Sequence, residues 1–249
     1  MSKPRIGIFD FACCEGCQLQ IVNLEEEILD LTGVVDVVEW REAMSEQSHE
    51  YDIAIVEGSI TRPEDEERLW IIRSRAKILI ALGACATTGG LNKLKNNFDF
   101  QDVREYVYGK YADMPHLFTD TVKALDEVVK VDYKIHGCPV DRKELTYVIR
   151  CLLMGKKPEI PEYPVCVECK AKGNQCLWET GQVCLGPITR AGCGARCPSF
   201  GFRCFGCRGY VDEPNIDAAR DVIEKYGLNI EDLKSKMVLF GSKQVHANE

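Results

Sequence analysis

Short runs of aliphatic and β-branched residues recur through the first part of the chain, each closed by glycine or a charged residue. RIGIFDF (5–11), VVDVVEW (34–40), DIAIVEG (52–58), KILIALG (77–83) and KVDYKIHG (130–137) have the length and composition of strands. Between them apolar positions return at a spacing near 3.6. This predicts helices over 19–31, over 63–76 with Pro63 in the first turn, and over 141–155, from an Asp141 cap to Gly155. Strands and helices in alternation predict an α/β fold with a doubly wound parallel sheet. The proline-rich PEIPEYPV (158–165) marks a boundary. Beyond it both periodicities fade, so an irregular segment organised by something other than a conventional core is expected there. They return in EPNIDAARDVIEKYG and NIEDLKSKM, which read as two charged amphipathic helices. No repeat of fixed period is present.

Composition changes this picture in one respect. The 249 residues include 14 cysteines, while 45% are hydrophobic, enough for a sizeable core. The chain opens MSKPRIGIFDF, with neither an apolar signal region nor a twin-arginine leader, so a cytoplasmic location and free thiols rather than disulfides are expected. The longest apolar run, Ile78 to Ala86, falls well short of the ~20 residues that span a bilayer, so no membrane span is expected. A net charge of −8 argues against a nucleic-acid surface. Residues 166–208 run the other way, with six Lys and Arg against two Glu. A positive segment that is also the cysteine-rich segment suits anionic inorganic centres, or alternatively an acidic partner.

The cysteines follow the fold. Cys13, Cys14 and Cys17 come after the first strand, Cys85 after KILIALG and Cys138 after KVDYKIHG. In an open α/β sheet the carboxyl ends of the strands form the edge where ligands bind. Cys14, Cys17, Cys85 and Cys138 therefore form one quartet. Cys166, Cys169, Cys176 and Cys184, then Cys193, Cys197, Cys204 and Cys207, supply eight more thiols, enough for two further four-ligand sites. Four thiolates suit tetrahedral zinc or a 4Fe–4S cluster. A zinc ribbon pairing Cys166/Cys169 with Cys204/Cys207 would leave the four thiols between them unused.

Other residues carry plainer readings. Cys13 reads as a buried free thiol and Cys151 as a packing residue in an apolar helix. Glu15 and Glu57 share the sheet edge with the first quartet, where they orient it, face a partner, or are ordinary loop carboxylates. His136 is placed for a hydrogen bond near Cys138 rather than for ligation. Trp178, Phe200, Phe202 and Phe205 are expected to wall the centres from water. GACATTGG is neither a dinucleotide fingerprint nor a Walker loop. Histidines at 49, 116, 136 and 246 form no catalytic constellation.

The ordered series CCEGCQLQ, VEGSI, GACATTGG, HGCP, YPVCVEC, CLGPITRAGCGARCPSFG and CFGCRG resembles the small, electron-transfer subunit of soluble cytoplasmic NiFe hydrogenases, over residues 4 to 210. The resemblance implies a flavodoxin-like domain over 1–157, a small irregular cluster-binding domain over 158–210 and a helical tail over 211–249. It implies three 4Fe–4S clusters, with Cys14, Cys17, Cys85 and Cys138 holding the proximal one. Cys166, Cys169, Cys176 and Cys184 would hold the distal cluster and Cys193, Cys197, Cys204 and Cys207 the medial one. No catalytic residue is implied in this chain. The nickel–iron site would belong to a partner large subunit, and a flavin- or iron–sulfur-containing subunit would exchange electrons at the other end. Exported members of that family have a histidine in the distal set and lack the fourth medial cysteine. Here both quartets are complete, which favours clusters of low potential. The alternatives are a cluster subunit of a complex I-like oxidoreductase, which leaves the eight later cysteines unexplained, and a zinc-stabilised interaction module.

Overall fold

The computed structural model describes residues 3–240, apart from the side chains of residues 26 and 218; the end of the expected tail, 241–249 with His246, lies outside the described residues. Five strands form one sheet: β1 (Arg5–Asp10), β2 (Asp36–Trp40), β3 (Ile53–Glu57), β4 (Ile78–Leu82) and β5 (Tyr133–Ile135). Their order is β2-β1-β3-β4-β5 and every pairing is parallel, the flavodoxin-like arrangement. The order reverses between β1 and β3, whose register sets Asp10 opposite Glu57 at the carboxyl edge. The loops leaving that edge carry the first cysteines.

β3 is buried along its whole length, as a strand covered on both faces must be. Alternate residues Ala54, Val56, Leu79 and Ala81 pack with Leu69 and Ile72 of the helix α3 and with Leu125 and Val129. The helices of this region are α1 (Gly16–Val22), α2 (Glu26–Val34), α3 (Pro63–Arg75), α4 (Gly83–Thr88) and α5 (Phe100–Tyr108). The single helix expected over 19–31 is thus two. The chain breaks at Asn23, the C-cap of α1, and Glu25 takes a positive φ of 54°, a conformation that does not continue a right-handed helix. Residues 63–75 form one helix as expected, with acids in its first turn and arginines in its last.

The described residues divide into two compact units between Arg142 and Lys143, earlier than the expected boundary at 157/158. The reason lies in α6 (Arg142–Leu153): its Glu144 receives two hydrogen bonds from Arg208, at 2.6 and 2.7 Å, and its Tyr147 hydroxyl accepts from the Glu159 amide. The second unit continues with α7 (Val165–Ala171), α8 (Arg196–Ser199), α9 (Ile216–Lys225) and α10 (Ile230–Met237). Contrary to expectation it has an apolar core. Val165, Leu177, Trp178, Leu185 and Ile188 pack with Ala219 and Ile223 of α9 and Leu233 and Met237 of α10, and Cys184 and Cys204 belong to the same core. The C-terminal helices therefore cover the cysteine-rich segment.

Candidate metal centres

At the sheet edge, Cys14 lies in the loop after β1 and Cys17 in the first turn of α1. Glu57, the last residue of β3, turns its buried carboxylate onto that helix start: the Cys17 amide donates to Oε1 at 3.1 Å and the Gln18 amide to Oε2 at 3.0 Å. A carboxylate there satisfies two amides that a helix start leaves without partners. Burial raises the Glu57 carboxyl above the ordinary range, against the pull of those two amides. Cys85 sits in α4, directly after β4, and Cys138 follows β5. The Ala84 amide donates to the Gly137 carbonyl at 2.7 Å and holds these two loops side by side. Gly83, at φ +84°, is required on two counts: its backbone is left-handed, and a Cβ there would lie 2.3 Å from the Cys17 sulfur.

The four predicted thiols come together. Cys85 is pushed up to about 12, first by burial, then by the charges of Cys138, Glu57 and Cys14. Cys138 is raised by burial and by Cys14, and Cys17 by burial, Glu57 and, more weakly, Cys138. Cys13 joins them as a half-buried fifth thiol beside Cys85, pushed up to about 12 by burial and Glu57. A bound metal would hold them as thiolates and displace the protons.

In the second unit Cys166, Cys169, Cys176 and Cys184 line one cavity of about 450 Å³ with Trp178 and Gly186. The Trp178 indole donates to the Cys184 carbonyl at 3.0 Å, and the Asn174 amide reaches the Cys169 sulfur at 3.6 Å. Burial and the charges of Cys184, Cys169 and Cys176 push Cys166 up to about 12. Cys197, raised by burial, feels Cys193; Cys204, also raised by burial, feels Cys184 and Cys207. Arg208, 1% exposed, lies within electrostatic reach of Cys193 and Cys207 and donates to the Ala191 carbonyl at 2.7 Å. The two sets also touch directly: the Cys204 amide donates to the Cys184 sulfur at 3.1 Å. Among the described residues no three or more His, Cys, Asp or Glu side chains close tightly enough to hold a single metal ion.

Trp178 is buried as expected, but Phe200 and Phe202 are 73% and 63% exposed and wall off nothing. They sit on either side of Gly201, which has a positive φ of 78°. Cys151 and His136 are buried. Pattern reading missed Glu168, whose carboxylate accepts the Gly192 and Ala195 amides at 2.9 and 3.0 Å. The signal was available: it is an acid lodged inside a Cys-x2-Cys pair, one of only two in a basic segment.

The profile of the family described as NADH ubiquinone oxidoreductase, 20 Kd subunit, matches residues 14–152, a span with the sheet-edge quartet and none of the eight later thiols. The delta subunit of sulfhydrogenase 2 from Pyrococcus furiosus is 35% identical, over 89% of this chain and 92% of its own. A subunit of the F420-non-reducing hydrogenase vhu from Methanococcus voltae is 32% identical, over 85% and 84%. Among solved structures, a chain of an NAD+-reducing NiFe hydrogenase in the H2-reduced state superposes with a TM-score of 0.59 at 29% identity, covering 64% of this chain and 96% of that one. The superposition agrees with the α/β fold, and the chain belongs to the NADH ubiquinone oxidoreductase 20 Kd subunit family as a small hydrogenase-associated subunit.

Proposed function

We propose that this chain is the electron-relay subunit of a NiFe hydrogenase, with three 4Fe–4S clusters lying between the nickel–iron site of a partner large subunit and a flavin- or iron–sulfur-containing redox subunit. The observation that carries the reading is the convergence of Cys14, Cys17, Cys85 and Cys138, delivered by three separate strand ends to one edge. The cavity lined by Cys166, Cys169, Cys176 and Cys184 supports it. A single zinc ion with bonds of about 2.3 Å would draw four sulfurs onto one point. Eight thiols beyond the first quartet exceed what one zinc ribbon uses, and suit two further four-ligand centres. When bound, such clusters supply one-electron storage and transfer.

The chain's own residues then do three things. Twelve thiols hold the centres in three sets: Cys14, Cys17, Cys85 and Cys138 the proximal, Cys193, Cys197, Cys204 and Cys207 the medial, and Cys166, Cys169, Cys176 and Cys184 the distal. Glu57 fixes the helix that carries Cys17, and Trp178 closes the wall of the cavity beside Cys184. Arg208, neutralised by Glu144, sets a buried cation beside Cys193 and Cys207. Bond-making chemistry is assigned to the partner, and the complex to the cytoplasm. No described helix is long and apolar enough to cross a membrane.

Anaerobic analysis of iron, acid-labile sulfide and zinc, with visible spectra before and after dithionite, tests the reading. About twelve iron and twelve sulfide per chain, from three cubes of four, are expected, with absorption that bleaches on reduction. Stoichiometric zinc without sulfide would overturn it in favour of an interaction module.

A further inference from the structure

Helix α7 and the residues just after it grip the loop that carries Cys193. Glu168 accepts the amides of Gly192 and Ala195 at 2.9 and 3.0 Å, and Lys172, at the C-cap of α7, donates to the carbonyl of Gly194 between them. A little further on, the Asn174 amide donates to the Ser199 hydroxyl at 3.1 Å, in the turn of Cys197. The gripped loop is not one the backbone adopts readily. Gly192, Gly194 and Ala195 all have positive φ, of 114°, 62° and 48°. For Ala195 that conformation is strained, because its Cβ crowds the following carbonyl. Successive amides in such a curl converge on one point and form a concavity for an anion. The anion here is a side chain of this chain, set between Cys166 and Cys169.

We propose that Glu168, assisted by Lys172, is a positioning residue: it locks the loop of Cys193 to the helix of Cys166 and Cys169, and so fixes the medial and distal centres relative to one another while adding a negative charge beside both. The proposal rests on the cluster reading above. Two consequences follow from opposite charges on one grip. Removing the Glu168 carboxylate favours reduction of the neighbouring centres, and removing the Lys172 ammonium disfavours it. A structural staple alone would give no such opposition, because either loss would only loosen the same loop.

The test is made on the purified hydrogenase complex, comparing wild type with Glu168→Gln, Glu168→Asp and Lys172→Met. The readouts are iron and sulfide content, the midpoint potentials of the two centres, and the splitting their magnetic interaction gives in the electron paramagnetic resonance spectrum. Glu168→Gln presents an amide donor to a backbone amide, so a positive shift in midpoint and an altered splitting are expected at full iron content. Glu168→Asp, which keeps the charge, should return the midpoint towards wild type. Lys172→Met should shift it negative. Full iron with unchanged potentials and splitting in Glu168→Gln, or shifts of the same sign in Glu168→Gln and Lys172→Met, overturns the proposal. If Glu168→Gln fails to load iron, Lys172→Met decides: a negative shift supports the proposal and no shift overturns it. A wild-type chain that holds zinc, or no labile sulfide, overturns the cluster reading instead, before any variant is compared.

Discussion

The two units use cysteine in opposite ways. In the first, the thiols stand at the rim of the sheet, where Cys17 is buried, and the described cluster of Leu79, Val56, Leu69 and their neighbours on one face contains none of them. In the second, Cys184 and Cys204 are themselves core residues, packed among Leu185, Ile188, Trp178 and two late helices. A sheet buried on both faces stabilises itself, and the rim is free to carry a site. A segment of short helices and loops has less apolar area to bury, so its site and its core are built from the same residues. The lesson is that the three proposed sites, alike in ligand chemistry, should differ sharply in what their loss does to the protein.

The widest separation is expected on stripping the metal. Anaerobic chelation followed by hydrogen exchange should remove amide protection across 163–210 while β3 and β4 stay protected; equal loss in both units would break the comparison. Single ligands come next. Cys85→Ser should lose about four of twelve iron with an unchanged melting profile, whereas Cys184→Ser should lose a similar share and also destabilise its unit, since it disturbs a buried thiol in contact with the core. Calorimetry alongside iron analysis reads both.

The smallest expected effect belongs to the first unit alone. Asp52 accepts the Arg5 amide at 2.9 Å and the Lys77 ammonium at 2.7 Å, and these hold its carboxyl below the usual range. A carboxyl lowered in the folded state stabilises it above the unfolded value of about 3.9 and loses that contribution as pH falls through the folded one. Asp52→Asn should therefore cost about 1 kcal/mol at neutral pH and less in acid, leaving the second unit unaffected in pH-dependent denaturation.

The same contrast governs what could be read from the sequence. β1, β3 and β4 were legible because a buried parallel strand is a short apolar run between turn residues, and the sheet edge followed from them. The break at Asn23 to Glu25 was not, because apolar spacing runs on through it. The second core was missed because Leu177, Trp178, Val183, Leu185 and Ile188 follow neither period and find their partners in α9 and α10. Cys166, Cys169, Cys176 and Cys184, consecutive among the cysteines, line one cavity, while the Glu144–Arg208 pair depends on loops meeting that no local pattern records.

The sheet-edge quartet has one more consequence, and it concerns time. Its last member, Cys138, arrives with β5, which can be placed only after β4 is in the sheet beside it. The eight later thiols come from one continuous stretch of chain, although Cys184 and Cys204 share a core with α9 and α10 that follow it. During synthesis the first quartet to be started is therefore held open until the sheet closes, and non-local closure is the slow kind. A centre bound by all four would thus be complete only once β5 has joined β4 and the sheet is closed.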